Sequence, residues 1–406
     1  DEKLYDKDFV ENHTVGFQQL EDEIINYPPQ WAEKICEIPA KTIVRIAREM
    51  AMQKPHALLH RGYHGAFGAQ YLNSFQTARA LAITNSLLGN INREGGIYFS
   101  ESANLGELQP AHPAPPGPSG SKADGTGIPG RYPLGAYGDG ISHSIPELAL
   151  RGILKCGFVY HHNPLRTNPN PKRVIAGYKK LELLVVIDPV LSETASIAHY
   201  VLPASFYLEA DDAVDTKHSG KQAQVSIQQK AIKPVFDTRS AFQIITDLAK
   251  NLGVGKYYNF TLDEANALRL KPFGVSLESL KAKGVLPVGP QWKEGFVKAD
   301  TPSGKVEIAS AVLEKLGYPA VPRWEAPLVS PDDKDPHSFR LIHGKQAYHT
   351  HAMTANQPYL MAISRRYDMI RLWINRARAE KIGLKDGDVV QMKSMIGEGK
   401  IRVKLT

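Results

Sequence analysis

Only two cysteines, Cys36 and Cys156, occur in 406 residues. That is too few for a zinc cage or an iron–sulfur cluster made by this chain alone. Both sit in apolar contexts and read as buried small hydrophobes. No apolar run approaches the roughly 18 residues that a membrane-spanning helix needs, so no span is predicted. The first residues lack a charged segment followed by an apolar stretch, so no export leader is read in them. Long Lys/Arg blocks and regular aromatic interleaving are also missing, which argues against a nucleic-acid surface. The excess of 49 Lys and Arg over 42 Asp and Glu is a scattered +7, which suits a ligand carrying several phosphates. The chain opens on Asp1-Glu2-Lys3 with no Met and closes on Val403-Lys404-Leu405-Thr406 inside a predicted strand; it reads as an internal piece of a longer polypeptide.

What is present is globular: 42% hydrophobic and 22% charged residues, long enough for two to four domains. Residues 158–203 are the most informative. Phe158-Val159-Tyr160 runs into His161-His162-Asn163-Pro164, and Leu183-Leu184-Val185-Val186-Ile187 stops at Asp188. A β-branched run ending in an acid is the pattern of a strand covered on both faces of a parallel sheet. Ligands of such sheets lie beyond the carboxyl ends of the strands, where Asn163, Asp188 and the Ser192-Glu193-Thr194 loop are expected. An acid in that place caps a turn about as often as it meets a ligand, so other segments must decide.

Upstream, 6–20 has helical spacing, Pro28-Pro29 breaks it, and a second helix follows Pro39. Ala57-Leu58-Leu59 reads as a short strand delivering the turn His60-Arg61-Gly62-Tyr63-His64-Gly65, backed by a helix over 75–88. The stretch 107–140 is dense in Pro and Gly and reads as a long ordered loop. Its Gly125, Gly127 and Gly130 satisfy G-x-G-x-x-G, but with no strand before and no helix after, the motif carries no dinucleotide assignment. Helices are predicted over 146–155, 171–180 and 240–252, and a strand over 224–228. From Phe339 onward come four short strands (339–342, 371–374, 387–392 and 401–403), the spacing of a small β-barrel. The fold expected is α/β, two Rossmann-like lobes with parallel sheets plus a C-terminal β-barrel. The divisions are 1–96 for the end of one lobe, 97–258 for the second, 259–336 for an irregular connection and 337–406 for a truncated barrel.

In family order, these segments resemble the catalytic subunit of the molybdopterin oxidoreductase superfamily, which includes dimethyl sulfoxide reductase and formate dehydrogenase. The resemblance covers nearly the whole chain. It rests on Leu4-Tyr5-Asp6 with Thr14-Val15-Gly16-Phe17, Leu87-Leu88-Gly89-Asn90-Ile91 to Gly95-Gly96, Asp188 with Glu193-Thr194 and Leu202-Pro203, and Trp373-Ile374-Asn375 with Asp386-Gly387-Asp388. His64-Gly65-Ala66-Phe67-Gly68, Tyr160-His161-His162-Asn163-Pro164 and Ala198-His199-Tyr200-Val201-Leu202-Pro203 are most similar to polysulfide and thiosulfate reductases.

The resemblance implies a molybdenum held by two molybdopterin guanine dinucleotides and reduction of a small inorganic sulfur substrate. It further implies a 4Fe-4S cluster in a region upstream of Leu4, an iron–sulfur electron-transfer subunit, a membrane anchor subunit, and a place in the periplasm or on the outer face of the membrane. Each dinucleotide asks for a carboxylate at its guanine and for backbone N–H groups at its phosphates. The implied contacts are Gly62, Gly65, His162, Asn163, Pro164, Thr167, Asp188, Thr194 and Ser205, then Gly344, Lys345, Tyr348, His349, Thr350, His351, Thr354 and Asn375. Where the family loop begins Thr-Gly-Arg, this chain has His343-Gly344-Lys345, so a point charge replaces a bidentate contact. His349 and His351 also stand as an alternative metal pair. Arg61 and His64 are the candidates for polarising the substrate, with Arg79 behind them.

Two departures narrow the reading. Formate dehydrogenases carry an Arg after the Gly-Gly pair, where this chain has Tyr98-Phe99-Ser100-Glu101; the customary Asp-Trp near Ser240 is Ala241-Phe242. The family's metal ligand lies upstream of Leu4, so the isolated chain is expected to be inactive. Alternatives left open are an arsenate or tetrathionate reductase on the same scaffold and a noncatalytic scaffold paralogue.

Overall fold

The structure is a computed structural model that describes all residues except 1, 61–72, 100–102, 118–119, 127, 129–131, 133–139, 218–219, 328–329, 333, 343, 345 and 353. The chain forms two compact units, each built from three stretches. Asp1–Gly106, Val214–Ile227 and Arg269–Val329 make one; Glu107–Ala213, Gln228–Leu268 and Ser330–Thr406 make the other.

In the second unit, a parallel sheet has the strand order Cys156–Tyr160, Leu183–Asp188, Tyr200–Pro203. The central strand is buried on both faces, as its sequence predicts. Leu184 and Val186 join a core with Val159, Leu165, Val174 and Tyr178, whereas Val185 and Ile187 join another with Ala204 and Ile244. Two helices account for the two cores. Pro171–Lys180 starts with proline in its first turn and is capped by Asn170, whose side chain accepts from Arg173 N. Its Gly177 lies against the helix Ile145–Leu150, where an added Cβ would come within 2.4 Å of Pro146 Cα. Ala241–Asn251 serves the opposite core through Ile244 and Leu248, and begins with a full capping box between Ser240 and Gln243. Ser240→Ala is expected to lower stability by about 1 kcal/mol in urea denaturation, while Ser240→Asp stays near the wild-type midpoint.

The predicted helix over 146–155 stops at Leu150, because Gly152 turns left-handed at φ +70°. The cysteines are exposed and not buried as expected: Cys36 ends a short helix, and Cys156 opens an edge strand. In 337–406 the described residues show a three-stranded sheet. Val389–Lys393 pairs antiparallel with Glu398–Leu405, which pairs parallel with Leu372–Ile374. Ile374, Ala379 and Val403 form its core with Val390 and Leu405. The expected strand at 339–342 is without strand pairing among the described residues.

The first unit carries the helices Lys7–His13, Phe17–Ile24, Pro29–Cys36, Ala40–Met52 and Ser74–Leu87. One helix was expected over 6–20; two are found. Thr14-Val15 breaks away to pair parallel with Val306-Glu307, and Gly16 at φ +84° starts the next helix. Its other sheet is antiparallel: Asp215–Lys217, Gln222–Ser226 and Val285–Gln291. Residues 57–59 do not enter a described sheet. Asn85 instead acts as the strand's partner, accepting from Leu59 N and donating to Leu59 O, both at 2.9 Å. Among the described residues, no helix is long and apolar enough to cross a membrane.

Candidate functional site

The strand register places Tyr160 beside Ile187 and Asp188 beside Pro203, so the loops bearing Asn163, Asp188 and Ser205 leave the same edge of one sheet. This is the edge where the sequence placed a ligand. Asn163 is its knot. The Asn163 amide donates to Glu193 Oε2 at 2.6 Å, and its Oδ1 accepts from Thr194 Oγ1 at 2.8 Å and from Thr194 N at 3.3 Å. Thr194 is fully buried and its hydroxyl also accepts from Leu165 N at 3.3 Å. Pro164 is buried at the start of the short helix Pro164–Thr167; the exposed Thr167 turns its hydroxyl back onto Asn163 O at 3.1 Å. His162 is exposed beside them.

Glu193 was not assigned a role from sequence, though it stands in the Glu193-Thr194 pair that carried part of the resemblance. Arg166 donates to it at 2.7 Å and Asn356 at 3.5 Å. Burial pushes its carboxyl up, but donors from Asn163, its own backbone, Arg166 and Asn356 outweigh that and hold it at about 2. A carboxyl held below its ordinary range stabilises the fold above the ordinary pKa, and that contribution is lost as pH falls through about 2. With the side chain 38% exposed, solvent screening reduces the effect to about 1–2 kcal/mol. In urea titrations, the wild type is expected to lose most of that as pH falls from about 5 towards about 2, and Glu193→Gln to lose less.

Asp188 Oδ1 accepts from Val190 N at 2.9 Å, which shapes the turn after the strand. Its second oxygen has no hydrogen bond among the described residues. Ser205 is buried, shares a 3.1 Å hydrogen bond with Thr238, and lines a cavity of about 460 Å³ with Ser240, Phe242, Lys230 and Phe260. That volume lies in the usual range for small-molecule sites. Five residues after Asn163, the buried Asn168 amide nitrogen is a donor without a partner among the described residues. The second carboxylate oxygen of Asp188 and, separately, the hydroxyl-lined cavity at Ser205 offer hydrogen-bonding groups of the kind a nucleotide needs.

The segment 344–354 closes on itself. Gln346 Nε2 donates to Met369 O, which fixes its amide so that Oε1 accepts from the buried Ser364 hydroxyl at 2.9 Å. Ser364 in turn meets His349 Nε2 at 2.8 Å, and His349 Nδ1 meets Thr354 Oγ1 at 3.2 Å, which also accepts from Thr350 N. Since Ser364 spends its hydrogen on Gln346, His349 carries its own on Nε2 and accepts from Thr354 at Nδ1. Both ring nitrogens are therefore engaged. Among the described residues, no group of three His, Cys, Asp or Glu is placed to hold a metal ion. Tyr348 stacks on Tyr367, while Gly344 and His351 are exposed. Asn375 caps the helix Arg376–Lys381, accepting from Arg378 N. Asn356, shortly after this segment, reaches Glu193, so the loop and the strand edge belong to one connected region.

Arg61, Gly62, His64, Gly65 and Lys345 lie outside the described residues. Arg79 does not stand ready for a substrate: burial lowers its pKa, and it donates to the carbonyls of Pro319 and Ala320.

Residues 66–251 match the molybdopterin oxidoreductase family model, and 339–406 match the molybdopterin dinucleotide binding domain. The chain is 30% identical over 449 residues to the thiosulfate reductase molybdopterin-containing subunit PhsA of Salmonella typhimurium, covering 100% of this chain and 57% of that one. It is 26% identical to the dimethyl sulfoxide/trimethylamine N-oxide reductase of Rhodobacter capsulatus, covering 100% and 54%. Acetylene hydratase from Pelobacter acetylenicus superposes with a TM-score of 0.78 at 22% identity, over 100% of this chain and 59% of that structure, a likeness of fold. The chain thus spans little more than half the length of these relatives. Two family models matched in order, and alignments that run the length of this chain, agree with the sheet edge described above: the chain belongs to the molybdopterin oxidoreductase family.

Proposed function

We propose that this chain is part of the catalytic subunit of a molybdenum bis(molybdopterin guanine dinucleotide) oxidoreductase that reduces thiosulfate or polysulfide in anaerobic respiration. The observation that carries the sulfur substrate is the 30% identity, along the full length of this chain, to a thiosulfate reductase subunit. In this reading, Asp188 accepts from the guanine of one dinucleotide, and the turn from His162 through Pro164 and Thr167, with Thr194 behind it, shapes the rim that receives the phosphates. Ser205 serves the adjoining cavity. Gly344, Lys345, Tyr348, His349, Thr350, His351, Thr354 and Asn375 support the second contact surface, and Gly62 and Gly65 present backbone to a phosphate. The bound group supplies two-electron chemistry at its metal. Arg61 and His64 draw and polarise the sulfur anion there.

The partners proposed are an iron–sulfur subunit and a membrane anchor, in a complex on the outer face of the membrane. A 4Fe-4S cluster is assigned to a segment upstream of this chain. The test is the full-length protein prepared anaerobically. Molybdenum or tungsten near one per chain, GMP released by acid near two per metal, and viologen-dependent turnover of thiosulfate or polysulfide support the reading. Turnover of arsenate, tetrathionate or formate in their place overturns the substrate, and metal-free protein overturns the enzyme in favour of a scaffold.

A further inference from the structure

Basic residues are scattered along the whole chain, but their excess over acidic ones falls at one end. Residues 337–406 hold thirteen Lys and Arg against five Asp and Glu, an excess that accounts for the whole +7 of the chain. The sheet there gives that charge a geometry. Alternate residues of Glu398–Leu405 face opposite sides: Val403 and Leu405 turn to the core, with the half-buried Ile401 on their side, and Lys400, Arg402 and Lys404 lie on the other in a row with a spacing of about 7 Å. Cross-strand pairing sets Val389 beside Arg402 and Gln391 beside Lys400, and on the other side Trp373 beside Lys404. Among the described residues, neither Lys400 nor Arg402 meets an acid; Glu398 is the row's acidic member, shared with Lys393 and Gln391.

The row also has an apolar anchor at each end. Trp373 is 54% exposed with the Lys404 ammonium 5.3 Å from its ring centre, and the hairpin turn carries Met395 and Ile396 at 83% and 62% exposure. Of these residues, Trp373, Met395 and Arg402 are of types enriched in protein interfaces, while the lysines supply charge. A lipid surface fits less well. A bilayer met by the Met395-Ile396 tip lies near Lys393 and Lys400, but Arg402 and Lys404 stand about 7–14 Å further along the strand, at or beyond the screening length at physiological salt.

We propose that the outer face of this sheet, Lys400, Arg402 and Lys404 between Trp373 and the Met395-Ile396 turn, is a docking surface for an acidic protein partner. The row matches carboxylates presented along an exposed strand or helix, and the aromatic and apolar ends supply the desolvated contacts that charge alone lacks. None of these residues is among the cofactor contacts assigned above, so the proposal is tested apart from the proposed activity.

The experiment uses the full-length subunit and a labelled glutamate-rich helical peptide, with vesicles of phosphatidylcholine and phosphatidylglycerol (about 4:1) as the competing probe. The charge-reversed K400E/R402E/K404E is compared with K172E/K179E/K180E, which makes the same change of net charge on the helix Pro171–Lys180. The expected result is peptide binding weakened at least tenfold in the sheet variant and by less than threefold in the helix variant, with Trp373→Ala weakened as well. Equal loss in both variants, loss of vesicle binding without loss of peptide binding, or protection of Lys400 and Lys404 from amine acetylation in the isolated full-length subunit each overturns the proposal.

Discussion

Asn163→Leu is expected to destabilise the second unit by about 3 kcal/mol and to leave the full-length protein with little bound dinucleotide. Thr194 is buried, and both its backbone N–H and its hydroxyl donate to Asn163 Oδ1. Leucine has the same branching but is bulkier and accepts nothing, so two buried donors lose their partner, at about 1–3 kcal/mol each before relaxation. The same change removes the 2.6 Å amide contact to Glu193, which leaves that carboxylate held by Arg166, the distant Asn356 and its own backbone. Asn163→Asp separates the two effects. It keeps the acceptor for Thr194 but sets one carboxylate against another, so its cost is large near neutral pH and shrinks in acid. Urea denaturation across pH, with the molybdenum-to-protein ratio of the purified full-length variants, measures both. A leucine variant with wild-type stability and full metal content would show that the knot at the strand edge holds nothing together.

How much of this was legible in the sequence depended on whether a local pattern also decided the partner. Leu183 to Asp188 was readable because five apolar residues in a row leave a strand no solvent-facing side, and the two cores on its faces follow from that. The helix Pro171–Lys180 was readable from its proline and its stripe. The neighbouring helix was overrun by four or five residues, since Gly152 stops it through backbone conformation that no periodicity reports. Ala57-Leu58-Leu59 had the composition of a strand, but Asn85, twenty-six residues on, satisfies its backbone in place of a strand neighbour. Asparagine within a helical stretch gives no hint of such reach.

The candidate site divides in the same way. Asn163, Asp188 and Ser205 follow the ends of neighbouring parallel strands, and such ends coincide at one edge of the sheet. Glu193 escaped assignment because its importance comes from four donors, one of them more than 160 residues away in sequence. The His349 segment looked like a row of polar groups waiting for a ligand. Its histidine instead lies in a chain of hydrogen bonds running from Met369 to Thr350, in which each group's direction is set by the one before it. That closure gives the loop a fixed shape, and among its described residues the exposed side chains of Tyr348, Thr350 and His351 stand outside that chain.

Asp188→Asn carries the second large effect, and it divides two meanings of an acid at a strand end. One carboxylate oxygen accepts from Val190 N and shapes the turn, and an asparagine oxygen does that equally well. Folding is therefore expected to change by less than about 0.5 kcal/mol. In the function proposed above, the other oxygen is the acceptor for guanine, and in asparagine it becomes an NH2 donor facing the donors of the base. Loss of a charge-assisted pair of hydrogen bonds, with donors opposed, costs about 2–3 kcal/mol, read as guanine dinucleotide retention falling about 30- to 150-fold through dialysis of the full-length protein. Asp188→Ala gives up the turn as well and should lose about 1 kcal/mol of stability besides. If Asp188→Asn retains its full complement of GMP on acid hydrolysis, the acid serves the Val190 turn alone, and the base is held by other groups along the same edge, with Ser205 and its cavity the next to be tested.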